Sequence, residues 1–378
     1  VENKRSTKSF TYKSIMDLII KPTELCNFKC TFCSSTKIAQ HKKDLLNHNY
    51  IFRFLKRFPQ TKTIIVNGGD PLMVEPGYYW RIIDWLDEHN YDTSISLTTN
   101  LWPFYVKPKK WAPLFNNDRV GITTSFQYGG GRLKGDFTEF TEEDFWKCSD
   151  TMLEYCGYRP DFIAVIVPEN EDMALKNVEL AYKMSDGKEP KDTFENLSKE
   201  KKGVECKLNY AMSSGDQDKP YLLSKIYQKY VEIWEKGLHP WEFNTRQMMK
   251  RIRDEITLCP QNRKCDEGIR AFNPSGDYYS CGAFGDDKDK AIDFEAEMKG
   301  KFFTPLQNDI NLFSMKRSCL TCPMFNICNG CRKTVKDFKK HNVVEDHCRI
   351  MKTIAPKILK ANNLNIEVTP YVDERNVR

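Results

Sequence analysis

Up to Tyr210 the chain repeats one pattern: a short run of apolar and β-branched residues, then a stretch with helical periodicity. The runs are 17–20, 63–66, 93–98, 120–125, 162–167 and 204–210. Helical spacing covers 50–58, 79–89, 142–155 and 172–184. Strands separated by helices pair in parallel through crossover connections rather than as hairpins. Six such repeats predict an α/β fold, a parallel sheet curled into a partial (β/α)6 barrel. In that architecture chemistry sits beyond the C-terminal ends of the strands. A helix over 221–237 is expected to bridge to a second region, and after it the rhythm stops and cysteines dominate. The expected organisation is a barrel over 1–220, a bridging helix over 221–240 and a small cysteine-rich, loop-rich domain over 241–378. The charged run 183–202 reads as an exposed excursion.

The motifs fall just after the strands. Behind the first comes Cys26-Asn-Phe-Lys-Cys30-Thr-Phe-Cys33, a C-x3-C-x2-C loop. It supplies three thiolates where an iron–sulfur cube takes four. A structural metal site uses four protein ligands, so three leave one position open for a substrate or cosubstrate. Behind the second strand comes Asn67-Gly68-Gly69-Asp70-Pro71. Alone, that segment reads as a turn. After a strand, and downstream of three cysteines, it reads as a cofactor cradle. Its glycines admit close backbone approach, and its acid or its carbonyls accept from an ammonium.

Fourteen cysteines without an apolar secretory segment point to metal rather than disulfides, and to a reducing, cytoplasmic setting. No run of eighteen apolar residues exists, so no membrane-spanning helix is expected. The net charge of +6, from 58 basic and 52 acidic residues, reads as a mixed solvated surface. Six scattered histidines and no concentrated basic face argue against a zinc-finger nucleic-acid binder, so no nucleic-acid partner is expected.

The three-cysteine loop, Phe32 before its third cysteine, and the Gly68-Gly69-Asp70-Pro71 segment resemble the radical S-adenosylmethionine superfamily, whose fold is a partial TIM-like barrel. The resemblance implies that Cys26, Cys30 and Cys33 hold a [4Fe-4S] cluster. Its open iron would chelate the amino and carboxylate groups of S-adenosyl-L-methionine, and an electron would release a 5′-deoxyadenosyl radical. An external donor of flavodoxin or ferredoxin type would supply that electron. Phe32, Gly68, Gly69, Asp70 and Pro71 would touch the cofactor. The ends of strands three to six add Asn100, Ser125, Gln127, Pro168 and Tyr210 as candidate contacts. Family members often carry Ser-x-Asp-Gly after strand four and an arginine later. The matching run here is Ser125-Phe-Gln127-Tyr, then Gly129-Gly-Gly-Arg132, with Gln127 in place of the acid. Ser125 and Arg132 read equally as loop structure.

Eight further cysteines follow, at 259, 265, 281, 319, 322, 328, 331 and 348. Their order resembles the SPASM extension, which carries two auxiliary [4Fe-4S] clusters. Cys328-Asn-Gly-Cys331 is one residue shorter than the C-x3-C that usually ends the family's pattern. The resemblance implies that Cys259, Cys265, Cys281 and Cys331 hold the nearer auxiliary cluster. Cys319, Cys322, Cys328 and Cys348 would hold the farther one, for three clusters in all. From spacing alone, Cys319 to Cys331 reads equally as a zinc ribbon. Cys148, Cys156 and Cys206 read as buried structural thiols. Fully ligated auxiliary clusters would accept the electron that a substrate radical must lose.

The expected activity is oxidative modification of a peptide or protein side chain, as in anaerobic sulfatase-maturating enzymes and peptide maturases. The alternatives are a radical dehydrogenase of a small alcohol or amino sugar, and an iron–sulfur electron-transfer protein. Sulfatase-maturating relatives usually have a basic aspartate directly after the cysteine matching Cys281, where this chain has Gly282. Asp277 is the nearby base candidate, though Ser-Gly-Asp-Tyr also reads as a turn. Tyr278 and Tyr279 read as a hairpin strand or as channel lining. Only 25 residues precede Cys26, so a peptide is expected to be held by the barrel, the cysteine-rich half or a separate protein.

Overall fold

The structure, a computed structural model, describes residues 17–35, 44–190, 203–214, 220–252, 268–301, 314–328, 331–361 and 363. The six apolar runs form β1 (Asp17–Ile20), β2 (Thr63–Val66), β3 (Ser94–Thr99), β4 (Val120–Ser125), β5 (Asp161–Ile166) and β6 (Cys206–Tyr210). They pair in chain order and all run parallel. Runs such as Thr-Ile-Ile-Val are rich in β-branched residues, which suit a pleated surface covered on both faces.

The helices between them include α1 (His48–Arg57), α2 (Pro76–Glu88), α3 (Trp102–Val106), α4 (Pro108–Phe115), α5 (Glu142–Cys156) and α6 (Ala174–Met184). Local chemistry sets their ends. Thr141 Oγ1 accepts from Asp144 N at 3.2 Å, and Asp144 Oδ2 accepts from Thr141 N at 3.1 Å. That reciprocal cap starts α5, and Gly157 in the left-handed region stops it. The expected bridging helix is α7 (Leu223–Glu235), followed by α8 (Phe243–Ile252).

The sheet does not end at β6. Strand β7 (Ile269–Phe272) lies parallel to β1, and β8 (Tyr278–Tyr279) returns antiparallel beside it. The order is β6-β5-β4-β3-β2-β1-β7-β8. Ile20 therefore pairs with Val66 on one side and Phe272 on the other. The first strand is interior, and the strand that covers its open edge comes from the cysteine-rich half. Side chains alternate across β1. Leu18 and Ile20 enter the main core with Phe54 and Phe272, while Ile19 packs with Ala271, Tyr279 and Phe284 on the opposite face. Each such fully buried aliphatic side chain contributes about 1.5–3 kcal/mol.

The cysteine-rich half adds α9 (Gly282–Asp287), α10 (Phe294–Met298), α11 (Phe325–Cys328), α12 (Arg332–Lys340) and α13 (Val344–Ala361). Helix α13 lies along α7, with Lys357 paired to Glu235 at 3.0 Å. Glu297 of α10 meets Arg270 of β7 at 2.7 Å, and both side chains are fully enclosed. The Tyr278 hydroxyl donates to the same carboxylate, so Tyr278 is a hairpin-strand residue with a structural bond.

Two outcomes follow for stability. Glu297→Ala removes the carboxylate that balances the buried Arg270 cation and is expected to cost about 3–5 kcal/mol, read as a fall in the denaturant midpoint. A variant as stable as the parent would refute the role of that pair. Asp17 is partly buried, and that burial, against an opposing Thr63 hydrogen bond, lifts its carboxyl from 3.8 to about 6. Its stabilising contribution is full below the unfolded value and lost as pH rises through about 6. Asp17→Asn should remove up to about 3 kcal/mol of that decline, measured as unfolding midpoint against pH.

Candidate functional site: a three-cysteine loop and a four-cysteine cavity

With seven parallel strands, their C-terminal ends share one edge of the sheet. The loop after β1 is clasped there from both sides. Gly69 N donates to Thr23 O at 3.0 Å and Asp70 N to Leu25 O at 2.8 Å, from the segment after β2. Lys29 N donates to Leu133 O at 2.8 Å and Thr31 N to Gly131 O at 3.0 Å, from the segment after β4. The cysteines alternate with the residues that make these bonds. A Cβ at Gly69 would overlap the Leu25 carbonyl, and one at Gly131 would overlap the Thr31 hydroxyl. The glycines that read as a cofactor cradle are thus required first by the cysteine loop itself.

Asp70 is enclosed, and its carboxylate is already engaged. It accepts from Leu72 N at 2.9 Å, Asn100 N at 2.8 Å and Thr99 Oγ1 at 2.9 Å. Burial raises its ionisation above the ordinary carboxylate range despite these donors. The acid ties the end of β2 to the end of β3, which leaves backbone carbonyls to meet any ammonium. Pro71 opens a short 3-10 turn, and its carbonyl accepts from Tyr79 OH at 2.8 Å. Asn100 exchanges amide hydrogen bonds with Asn27, next to Cys26, at 2.8 and 3.3 Å.

After β4, the buried Arg132 donates to Gln127 Oε1 at 2.9 and 2.6 Å and to Ser125 Oγ at 2.9 Å. Its guanidinium stands 5.2 Å from the centre of the Phe32 ring. Burial depresses its ionisation, and the thiols of Cys30, Cys33 and Cys26 oppose that. With Gln127 in place of an acid, these neutral partners leave the charge of Arg132 to be offset from the cysteine side. Five expected site residues (Phe32, Asn100, Ser125, Gln127 and Arg132) therefore converge on the loop. Pro168 starts a 3-10 turn after β5. Tyr210 ends β6 and shares a hydrogen bond with Thr334.

The donor set suits an iron core. Burial first, then the Asp70 charge and the other two cysteines, push the Cys26 thiol well above its ordinary range. A cationic metal reverses that balance and deprotonates the thiols. Two buried polar atoms at the same end, Asn67 Oδ1 and Gln127 Nε2, have no partner among the described residues. One is an acceptor and one a donor, as a ligand with an amine and a carboxylate needs.

The C-terminal half reaches this loop through α9. Asp286 accepts from Ser34 Oγ at 2.8 Å and pairs with the buried Lys21, whose Nζ also donates to Gly282 O at 3.2 Å. Asp277 instead lies in the exposed β7–β8 turn, bonded to Ser275 Oγ at 2.7 Å. Lys21, Asn27, Ser34 and Asp286 were not foreseen. The first three flank the cysteines in sequence; Asp286 carries no local signal.

Farther out, Cys319, Cys322, Cys328 and Cys348 line one cavity. Burial, and then the thiols of Cys322, Cys319 and Cys348, hold the Cys328 thiol far above its ordinary range. Lys316 and Lys352 also face this cavity and partly offset the effect of burial on Cys348. Cys281 and Cys331 stand at the N-terminal caps of α9 and α12. Those helices are joined by Lys333 and Asp287 at 2.7 Å. Cys259 and Cys265 lie outside the described residues. Among the described residues, no three His, Cys, Asp or Glu side chains form the kind of group that holds one metal ion. The thiolates of an iron–sulfur cube bind separate irons and stand farther apart. Cys148 and Cys206 are fully buried, and Cys156 is half-buried.

The fold recurs in solved structures. Native anSMEcpe with bound AdoMet and the Cp18Cys peptide superposes with a TM-score of 0.65 at 16% identity, over 92% of this chain and 99% of that one. Streptococcus suis SuiB bound to precursor peptide SuiA superposes at 0.55 and 15% identity, over 84% of this chain and 72% of that one. This chain has their fold. In this chain it is a mostly parallel eight-stranded α/β sheet with a cysteine-rich C-terminal half. No family model and no curated protein matches the sequence. Among the described residues no helix is long and apolar enough to cross a membrane.

The clasp makes a direct prediction. Gly131→Ala should destabilise the chain by about 1–3 kcal/mol and speed alkylation of Cys30 under native conditions. An unchanged labelling rate would show that the segment after β4 does not hold the loop.

Proposed function

We propose that this chain is a radical S-adenosylmethionine enzyme that oxidatively modifies a peptide or protein side chain. One observation carries the reading: the ends of β1 to β4 bring a three-thiolate loop, an unpaired amide donor and acceptor, and the buried Arg132 to one place. Cys26, Cys30 and Cys33 would hold a [4Fe-4S] cluster. So held, the cluster would supply the electron for reductive cleavage of S-adenosylmethionine, and with it the radical chemistry that acts on the substrate.

The chain's own residues bind and orient. Asn67 and the carbonyls of Gly68 and Gly69 would accept from the cofactor's ammonium, and Gln127 and Arg132 would donate to its carboxylate. Phe32 and Pro71 close apolar surface over it and exclude water. Cys319, Cys322, Cys328 and Cys348 would hold one auxiliary cluster. Cys259, Cys265, Cys281 and Cys331 would hold the other. Four thiolates each leave no open iron, which suits electron acceptance. An external flavodoxin-type or ferredoxin-type donor would feed the first cluster.

The barrel would span the residues up to about 220, followed by the α7 bridge and a cluster-bearing half that begins near residue 241. Strand β7 then anchors that half to the sheet. A peptide substrate is favoured because both anSMEcpe and SuiB carry bound peptides in their solved structures.

Anaerobic reconstitution should give roughly twelve irons per chain. Cys30→Ala should abolish 5′-deoxyadenosine formation with dithionite, and Cys322→Ala should retain it. Zinc alone after reconstitution would end the proposal.

A further inference from the structure

His347 precedes Cys348 on α13, and both line the four-cysteine cavity. Its side chain is almost completely enclosed. Neither ring nitrogen has a hydrogen-bond partner among the described residues. Its neighbour on α12 is the Phe338 ring, at 5.0 Å between centroids, which accepts no conventional hydrogen bond. A neutral imidazole carries one N–H, and a buried N–H without an acceptor is costly enough to be rare. None of the side chains lining the cavity carries an oxygen; the remainder are cysteine, methionine, lysine, phenylalanine and valine. Sulfur is the one acceptor type these side chains offer. The orphaned ring N–H and the sulfur-lined wall therefore point to the same acceptor.

We propose that His347 donates its ring N–H to a sulfur of the iron–sulfur group held by Cys319, Cys322, Cys328 and Cys348, and so raises that group's reduction potential. The inference rests on the cluster reading above and adds a fifth residue to it. A donor to sulfur favours the reduced state, whose sulfurs carry more negative charge. Lys316 and Lys352 bias the same cavity toward negative charge. Lys316 is already paired with Glu345 at 2.8 Å, whereas neither nitrogen of the imidazole has a partner among the described residues. His347 would thus set how readily this site accepts an electron; it is a tuning residue and touches no substrate.

The test uses the full chain reconstituted anaerobically. The signal of this cluster is the one that Cys348→Ala removes, together with about four irons. Pulsed EPR of the reduced wild-type protein grown with 15N-histidine should show a nitrogen coupling in that signal. His347→Phe should keep the iron and lose the coupling. At a fixed poise its ratio of reduced to oxidised cluster should fall about tenfold, a shift of about 59 mV for one electron. Either His347→Asn or His347→Gln, which retain an amide N–H, should recover part of the shift. An unchanged potential in His347→Phe overturns the proposal and leaves the cluster reading intact. Loss of the irons in His347→Phe would make the histidine a ligand and also overturn it. No change of iron in Cys348→Ala overturns the cluster reading and this inference together. Should His347→Phe fail to fold, the nitrogen coupling in the wild-type protein decides: its absence sinks the idea.

Discussion

Four backbone hydrogen bonds flank the loop that carries Cys26, Cys30 and Cys33, and the rest of the site depends on them. Thr23 and Leu25 accept from the segment after β2, while Lys29 and Thr31 donate to the segment after β4. A free loop of this length would sample many spreads of its three thiols, and ordering it costs conformational entropy. Pairing it on both sides transfers the rigidity of the sheet to the metal-binding backbone. The contact is close enough that Gly69 and Gly131 have no room for a β-carbon. These glycines serve protein–protein packing within the fold before they serve any ligand.

Electrostatics follows from that placement. Two sets of thiols are gathered, and burial disfavours ionisation of Cys26 in the first and of Cys328 in the second. Each set also has cationic side chains at hand: Arg132 beside the first, Lys316 and Lys352 beside the second. Arg132 bonds to neutral Gln127 and Ser125, so its charge stays available to the thiol side. A cationic core held at either place would replace the thiol protons and relieve this cost.

The two halves of the chain are structurally interdependent. Strand β7 completes the sheet beside β1, and α9 places Asp286 against Lys21 and Ser34. The enclosed Arg270–Glu297 pair locks α10 to the same strand. The cysteine-rich half is thus held against the very loop whose chemistry it would complete.

Much of this was legible in sequence. The six strands, the bridging helix and the three-cysteine loop follow from hydrophobic periodicity and from local spacing, which are properties of adjacent residues. The grouping of Cys319, Cys322, Cys328 and Cys348 followed from a resemblance, and the cavity brings those four together. Asp70 and the glycines follow a strand, as the periodicity implies, but their contacts are with neighbouring loops, which no single segment reveals. Strand β7 was missed because its four residues gain strand character by pairing with β1, 249 or more positions away in sequence. Asp286 and His347 are unremarkable within their helices and acquire meaning only through what folding sets across from them. The linear chain thus determined the elements and the thiol inventory. Folding alone decided which polar groups are satisfied, which charges are shared and which nitrogen is left facing sulfur, because those depend on distances between segments remote along the backbone.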